Sequence, residues 1–329
     1  MSFPFDLDPD ERDPGGWATS LLHSAELVLG CLEAVQARSV TEVGAFMGEL
    51  TRLLLCWADG VDATVTAIDT APHPDLEALA PAHANLRLLR EASLEALERI
   101  ELADVVILDG DHNYYTVSRE LGLIAERAAD AGRRLPLLLL HDVGWPHGRR
   151  DDYYVPERIP VEHRRPLAQA GLHPDEPGTV SGGIPCDNPA AREGGPRNGV
   201  LTAAEDFVAA HQRLALAIVP AFYGLGVIWD VGGPHAQAIS ELLSTWDRDP
   251  LLQRMEDNRV LHLANTHIQM VIAREAQQRV ADNDSRLARQ RQLLAPMLHS
   301  RAFWAAELFL RLRHRTPVFS RRQIREVIE

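Results

Sequence analysis

Two apolar runs that end abruptly in charged side chains constrain the fold of this chain more than any other feature. The first, Val105–His112, ends in Asp-Gly-Asp-His, and the second, Leu137–Asp142, ends in His-Asp. Continuous apolar runs of this length are typical of buried parallel strands, which deliver polar side chains at their carboxyl ends. We therefore expect the two ends to converge on one active site. The alternative is that each strand simply reaches water at its polar residues.

Strand-like and helical segments alternate through the first two thirds of the chain. Strands are predicted at about Val40–Val43, Thr64–Asp69, Leu86–Leu89, Val105–Leu108 and Leu137–Leu140, and helices at about 17–37, 48–57, 74–82, 93–100 and 114–130. Two later strands, Leu214–Val219 and Gly224–Trp229, are joined by a link too short for a parallel crossover, which predicts an antiparallel pair. The predicted fold class is α/β, with a doubly wound, Rossmann-like, seven-stranded sheet.

Composition divides the chain further and limits its partners. Residues 1–16 read as an arm, 17–233 as the sheet domain and 234–329 as a helical extension; within the domain, 143–200 form an insertion. The net charge of −14 argues against a nucleic-acid partner, which requires a basic face. The sequence has three cysteines without metal-binding spacing, no secretory signal and no apolar run long enough to span a membrane. These features predict a soluble, cytoplasmic protein.

Glycines and acids after the first two strands suggest a nucleotide-type ligand. Gly44 and Gly48 lie at a strand-to-helix turn, where a backbone without side chains can approach a ligand and helix N–H groups can hold an anion. Asp69 ends the second strand, the position that grips ribose hydroxyls in doubly wound folds. The absence of Gly-x-Gly-x-x-Gly disfavours a nicotinamide oxidoreductase.

Together these residues resemble the class I S-adenosylmethionine-dependent methyltransferases. The resemblance covers about residues 17–232 and implies that the methionine part, ribose and adenine of the cofactor are bound at successive strand ends. The cofactor-binding residues it implies are Glu42, Gly44, Gly48, Asp69, Ala92, Ser93 and Asp109.

The ends of the fourth and fifth strands are also similar to the metal-dependent sugar O-methyltransferases of macrolide pathways. That resemblance implies that Asp109 and Asp142 hold Mg²⁺ and that His112 takes the proton from a substrate hydroxyl. The chain departs from the pattern at His141, where those enzymes carry an acid. His141 is predicted to be a ligand of a softer metal, a second catalytic base, or a hydrogen-bonding residue in a metal-free site. The run 141–207 also resembles an uncharacterised bacterial methyltransferase subgroup.

The insertion begins where the fifth strand ends, so we expect it to form a lid over the site. Trp145, Tyr153 and Tyr154 are predicted to stack on a substrate ring. Arg149 is predicted to pair with an anionic substrate group, or else with neighbouring acids of the insertion.

The predicted activity is methylation of a hydroxyl on a small glycosyl or polyketide-type natural product. Metal-free methylation at nitrogen or carbon is the alternative within enzymes, and a non-catalytic binding or assembly protein is the alternative outside them. The C-terminal helices, whose last part is rich in arginine, are predicted to form a homo-oligomer; contact with a membrane surface or no special role are the alternatives.

Overall fold

The computed structural model describes residues 19–313 and 320–328. The predicted arm at 1–16, the predicted start of the first helix at Trp17 and part of the arginine-rich end lie outside the described residues. The chain divides into two compact units, the first ending at Ile268 and the second beginning at Gln269. The predicted boundary at residue 233 stays a prediction.

The first unit is built on a seven-stranded sheet, as the sequence predicts. Its strands are β1 (Ser39–Val43), β2 (Thr64–Ile68), β3 (Leu86–Leu89), β4 (Val105–Leu108), β5 (Leu137–Leu140), β8 (Leu214–Val219) and β9 (Leu225–Asp230). They lie in the order β3-β2-β1-β4-β5-β9-β8. Strands β1 to β5 are parallel, and β9 pairs antiparallel with both β5 and β8, which confirms the predicted antiparallel end.

Helices cover both faces of the sheet because alternate side chains of each strand point to opposite sides. The helices of this unit are α1 (Ala25–Ala34), α2 (Glu49–Val61), α3 (Pro74–Leu79), α4 (Ser93–Leu97), α5 (Tyr114–Asp130), α6 (Val200–Ala209), α7 (Ala236–Leu243) and the first part of α8 (Pro250–His299). Val105 and Ile107 of β4 pack in a core with α1, α2 and α7, whereas Val106 and Leu108 pack with α4, α5 and α6. All four residues are buried, as a parallel strand covered on both faces requires.

The strand order reverses between β1 and β4, which creates a crevice at their carboxyl ends. The register aligns Leu108 with Val43 on one side and with Leu140 on the other. The residues that follow these three positions therefore emerge side by side at the crevice. This is the physical basis for the predicted convergence of the β4 and β5 ends.

The insertion 143–200 has more local structure than the sequence predicts. It contains short 3₁₀ turns at Pro156–Arg158 and Val161–His163, and a small hairpin formed by β6 (Gly171–His173) and β7 (Glu176–Val180). These elements are three to five residues long. Segments that short carry no readable periodicity, so the sequence does not predict them.

The second unit consists of the rest of α8, then α9 (Arg301–Leu312) and α10 (Arg321–Ile328). From Gln269 to His299 no side chain of α8 is buried. Among the described residues, no helix combines the length and apolar character that crossing a membrane requires.

Candidate active site

Carboxylates and imidazoles from β4 and β5 meet at the crevice. The Nε2 atom of His112 lies 3.0 Å from Asp142 Oδ2 and 3.9 Å from Asp109 Oδ1. His112 Nε2 is buried, and no acceptor is aligned for a hydrogen bond, so the contact with Asp142 is an ion pair rather than a directed bond. Asp142 adopts a left-handed backbone (φ 58°), which aspartate tolerates better than most residues and which is common at functional sites.

Both ring nitrogens of His141 are engaged by protein groups. Its Nδ1 lies 3.0 Å from Asp109 Oδ1 and 3.3 Å from Asp142 Oδ2, and its Nε2 lies 3.0 Å from the backbone carbonyl of Phe222. Carbonyl and carboxylate oxygens only accept, so Nε2 donates to the carbonyl and Nδ1 donates to the carboxylates, as both nitrogens can in the imidazolium form. In this geometry both nitrogens are engaged by protein acceptors. The roles predicted for His141, as a ligand, a second base or a hydrogen-bonding residue, stay predictions.

Burial lowers the pKa values of His112 and His141, whereas the two neighbouring carboxylates raise them. Burial lowers the pKa of His112, but the attraction of Asp142 and Asp109 outweighs it, so that the pKa lies well above 6.5. The pKa of His141 is raised well above 6.5 by the same balance. As the site stands, both rings favour the imidazolium form.

The turn after β1 forms the other side of the crevice. Gly44 adopts φ 85°, and a Cβ at this position would overlap the backbone carbonyl of Asp109, so only glycine fits. Glu42 is buried and its Oε2 accepts a hydrogen bond of 2.6 Å from the hydroxyl of Thr51. Burial raises the pKa of Glu42 to about 8. Gly48, at φ 78°, ends the turn as the cap of α2.

Asp69 follows β2 and binds the turn across the crevice. Its Oδ2 accepts from the N–H of Phe46 at 2.8 Å, and its Oδ1 accepts from the N–H of Ala71 at 2.7 Å. Each oxygen keeps a second lone pair for a ligand hydroxyl. Ala92 and Ser93 begin α4 one strand further along.

A cavity of about 920 Å³ joins these parts. That volume is at the upper end for small-molecule sites and is large enough for a nucleoside cofactor beside an acceptor. Most of the residues predicted to form the site line this cavity: Glu42, Gly44, Asp69, Ala92, Ser93, Asp109, His112, Asp142, Trp145 and Tyr154. Four of the predicted residues do not line it: Gly48, His141, Arg149 and Tyr153.

Two of the predicted substrate residues are committed to the protein itself. Tyr153 is fully buried, and its hydroxyl donates to Asp151 Oδ2 at 2.9 Å. Arg149 forms a bidentate ion pair with Glu205, with N–O distances of 2.6 and 2.8 Å. This is the internal ion pair of the alternative prediction, although its partner lies on α6 and is not a neighbouring acid of the insertion. Neither side chain lines the cavity, and their predicted contact with substrate stays a prediction that this geometry does not support. Trp145 and Tyr154 keep that role as a prediction.

The cluster of Asp109, His141 and Asp142 fits a divalent cation. One potential ligand atom from each side chain lies within 4.8 Å of the others, and Nδ1 of His141 faces the carboxylates. Two carboxylates and one imidazole suit Mn²⁺, Fe²⁺ or Zn²⁺ at least as well as Mg²⁺, which prefers oxygen ligands.

One family model matches the part of the sheet that carries the candidate site. Residues 41–143 match a model described as a methyltransferase domain. The matched segment includes Gly44, Asp69 and Asp109, so the crevice lies in the part of the chain that is similar to methyltransferases. No curated protein matches the chain.

Solved structures of methyltransferases share the fold of this domain only distantly. A Podospora anserina methyltransferase solved with S-adenosylhomocysteine is 16% identical, with TM-score 0.38, and the match covers 67% of this chain and 83% of that one. An O-methyltransferase family protein from Burkholderia thailandensis is 14% identical, with TM-score 0.36 and coverage of 64% and 56%. Human N-acetylserotonin methyltransferase, solved with S-adenosylmethionine, is 11% identical, with TM-score 0.35 and coverage of 64% and 52%. We draw nothing about substrate from these likenesses.

Sequence reasoning missed a second group of polar residues in the insertion. The structure brings His147, Asp152 and Cys186 together beside His112. Cys186 lies far along the chain from His147 and Asp152, and the three follow no ligand spacing, so no local pattern could have found them.

Proposed function

We propose that this chain is an O-methyltransferase that transfers the methyl group of S-adenosylmethionine to a hydroxyl of a small molecule, a glycosyl or polyketide-type natural product. The observation that carries the proposal is the position of His112, beside Asp142 and in the same cavity as Glu42, Gly44 and Asp69. A base thus stands where an acceptor hydroxyl would meet the cofactor.

In this proposal Gly44 and Asp69 bind the cofactor, and His112 acts on the acceptor. Gly44 lets the backbone approach the cofactor, and Asp69 has free lone pairs for the ribose hydroxyls. Bound S-adenosylmethionine would supply an electrophilic methyl group to the acceptor oxygen. His112 would take the hydroxyl proton after releasing its own proton to solvent, because only the neutral imidazole is a base. Alignment of the two reactants supplies much of the rate, about 7–11 kcal/mol in well-oriented systems.

Asp109 and Asp142, with His141 between them, are the residues that would hold a divalent cation. A cation bound there supplies positive charge that orients the acceptor hydroxyl and lowers its pKa. Without one, the same acids orient His112 directly. Trp145 and Tyr154, which line the cavity, supply apolar surface for the acceptor ring.

The test begins with calorimetric titration of the full chain with S-adenosylhomocysteine, with Mg²⁺ or Mn²⁺ and after chelation. We expect micromolar binding, lost in Asp69→Asn and kept in His112→Gln. Production of S-adenosylhomocysteine is then followed with a panel of hydroxylated glycosides and polyketides. We expect His112→Gln to lower turnover by at least about 10²-fold, the usual contribution of a general base, and His83→Gln, outside the cavity, to leave it unchanged.

The outcomes separate the alternatives. Absence of S-adenosylhomocysteine binding would overturn the enzyme and favour a binding or assembly protein. Binding and turnover that are unaffected by chelation, with methyl found on nitrogen or carbon, would favour the metal-free alternative. Turnover unchanged in His112→Gln would remove the base from the proposal.

We also propose that the second unit mediates self-association. From Gln269 to His299 the helix has no fully buried side chain, and we infer that a long helix with so little burial is stabilised by a partner. Large apolar side chains lie exposed along it and along α9, including Leu293, Trp304 and Phe309. Light scattering should show an oligomer that dissociates in a Leu293→Glu and Phe309→Glu double variant. The same substitution at exposed Leu167 should not change the mass; a monomeric starting protein would refute the proposal.

A further inference from the structure

The insertion carries its own group of potential metal ligands. One ligand atom each from His147, Asp152 and Cys186 lies within 4.8 Å of the others. Asp152 is buried, and the other two side chains are half-buried. The group is distinct in its residues from Asp109, His141 and Asp142, and it adds a sulfur that the first group lacks.

Each of the three side chains has a ligand atom available. Nδ1 of His147 is buried and has no hydrogen-bond partner among the described residues, which is costly for an imidazole unless something binds there. Cys186 is a free thiol. Asp152 accepts a hydrogen bond at Oδ1 from the N–H of Asn188 at 2.7 Å, a contact that orients the carboxylate in the way outer partners orient metal ligands.

The backbone around the group is held in place. The N–H of Asp152 donates to the carbonyl of His112 at 2.9 Å, and the carbonyl of His147 accepts from the N–H of Val200 at 3.0 Å. The imidazole of His147 stacks on that of His112 with ring centroids 4.5 Å apart. The group is therefore fixed to the end of β4 and to α6 rather than carried by a free loop.

The donor set selects the kind of cation. One sulfur, one nitrogen and one oxygen suit Zn²⁺ or Co²⁺, whereas Mg²⁺ takes oxygen ligands only. Tetrahedral zinc, with bonds of about 2.0–2.3 Å, spaces its ligand atoms about 3.3–3.8 Å apart. Because the three ligand atoms lie within 4.8 Å of one another, reaching that spacing needs movements of at most about 1–1.5 Å, within the reach of side-chain rotations.

We propose that His147, Asp152 and Cys186 form a second metal site, for a zinc-like divalent cation, with an open position towards the cavity. His147 and Cys186 both line that cavity, as His112 does. Three protein ligands and one open position are typical of zinc sites that bind a water or a substrate atom. Such a site would hold a heteroatom of the acceptor next to His112. The metal binding itself does not depend on the proposed methyl transfer.

The test is a titration of the chelator-treated full chain with Co²⁺, followed by absorption spectroscopy. We expect one equivalent of Co²⁺ to give a near-ultraviolet thiolate-to-cobalt charge-transfer band and the visible bands of a tetrahedral ion, both displaced by Zn²⁺. Because the first cluster contains no cysteine, a thiolate band identifies the second site. Cys186→Ser should abolish that band, and His147→Ala should weaken Co²⁺ binding at least tenfold.

Matched variants keep the outcome decisive. Cys56→Ser removes an exposed cysteine far from the insertion in sequence and should leave the band unchanged. Circular dichroism of the metal-free variants should match the parent, and Cys186→Ser differs from it by a single atom. No thiolate band in the parent chain, or a band that persists in Cys186→Ser and disappears in Cys56→Ser, would overturn the site.

Discussion

Glu120 of α5 is a buried carboxyl whose protonation should make the stability of this protein depend on pH. Only 1% of the residue is exposed, and its Oε1 has no hydrogen-bond partner among the described residues. Burial raises the pKa of Glu120 to about 8, and repulsion by Asp111 adds to this, while a hydrogen bond from Ser93 opposes it. The carboxyl is therefore protonated at neutral pH in the folded chain.

The size of the effect follows from the two pKa values. The pKa of Glu120 is 4.5 in the unfolded chain and about 8 in the folded one, a difference of about 3.5. At about 1.4 kcal/mol for each pKa unit, ionisation in the folded state costs roughly 4–5 kcal/mol. The folded chain binds the proton more tightly, so its free energy of unfolding falls by about 1.4 kcal/mol per pH unit as the pH rises from 4.5 to about 8.

Glu120→Gln removes this dependence, because the amide does not ionise. Its buried NH₂ adds a cost of about 1–3 kcal/mol that does not vary with pH. We therefore expect the free energy of unfolding of Glu120→Gln, relative to the parent, to rise by roughly 4 kcal/mol between the two pH limits. Denaturant unfolding followed by tryptophan fluorescence measures it. Glu126→Gln, exposed on the same helix, is the control and should show no such rise.

A flat difference between Glu120→Gln and the parent across this range would refute the reasoning. It would mean that Glu120 is ionised in the folded chain and that its carboxylate is solvated or paired. Direct titration of the labelled carboxyl carbon by NMR would then show a pKa near 4.5.

Three further predictions concern backbone and ion-pair contacts. Gly44→Ala should lower the free energy of unfolding by at least about 2 kcal/mol and abolish S-adenosylhomocysteine binding, because the new Cβ would overlap the Asp109 carbonyl. The control is Gly122→Ala, which has open space around the new Cβ and should be neutral or stabilising. Arg149→Met, which breaks a half-exposed pair, should cost no more than about 1 kcal/mol by thermal denaturation. Arg150→Met should cost about 3 kcal/mol or more, because the carbonyls of Ala190, Pro177 and Gly178 lose a donor whose side chain is fully buried. Equal costs at the two arginines would contradict both predictions.

The sheet and most of its helices could be predicted from the sequence because β4 and β5 are continuous apolar runs and the other strands are short apolar or β-branched segments between turn residues. The bounds of α5 were predicted as 114–130, as observed, because Asn113 provides a clear cap whose Oδ1 accepts from the N–H of Thr116 at 2.8 Å. The helices α3 and α4 end three residues earlier than predicted, at Leu79 and Leu97. Helices of five or six residues are too short for a helical period to fix their ends.

The catalytic side of the site could be predicted because it depends only on parallel register. Once β4 lies between β1 and β5, the register places Asp109 next to Gly44 and His141, independently of how the helices pack. The insertion follows no such rule. Tyr153 reads as an exposed aromatic in the sequence, but its burial depends on contacts with Asn188 and Arg165 from distant parts of the insertion.

The same contacts show which part of the insertion is fixed. The carboxylate of Asp151 accepts hydrogen bonds from the N–H groups of Tyr114 and Gly199 at 2.7 Å and from the hydroxyl of Tyr153 at 2.9 Å. Its own N–H donates to the side chain of Asn198 at 2.8 Å. The base of the insertion is thus bonded to the first turn of α5, directly after His112. Moving Asp151 would break these four hydrogen bonds, so we expect any movement of the insertion that admits an acceptor to fall on the more distal 3₁₀ turns and hairpin.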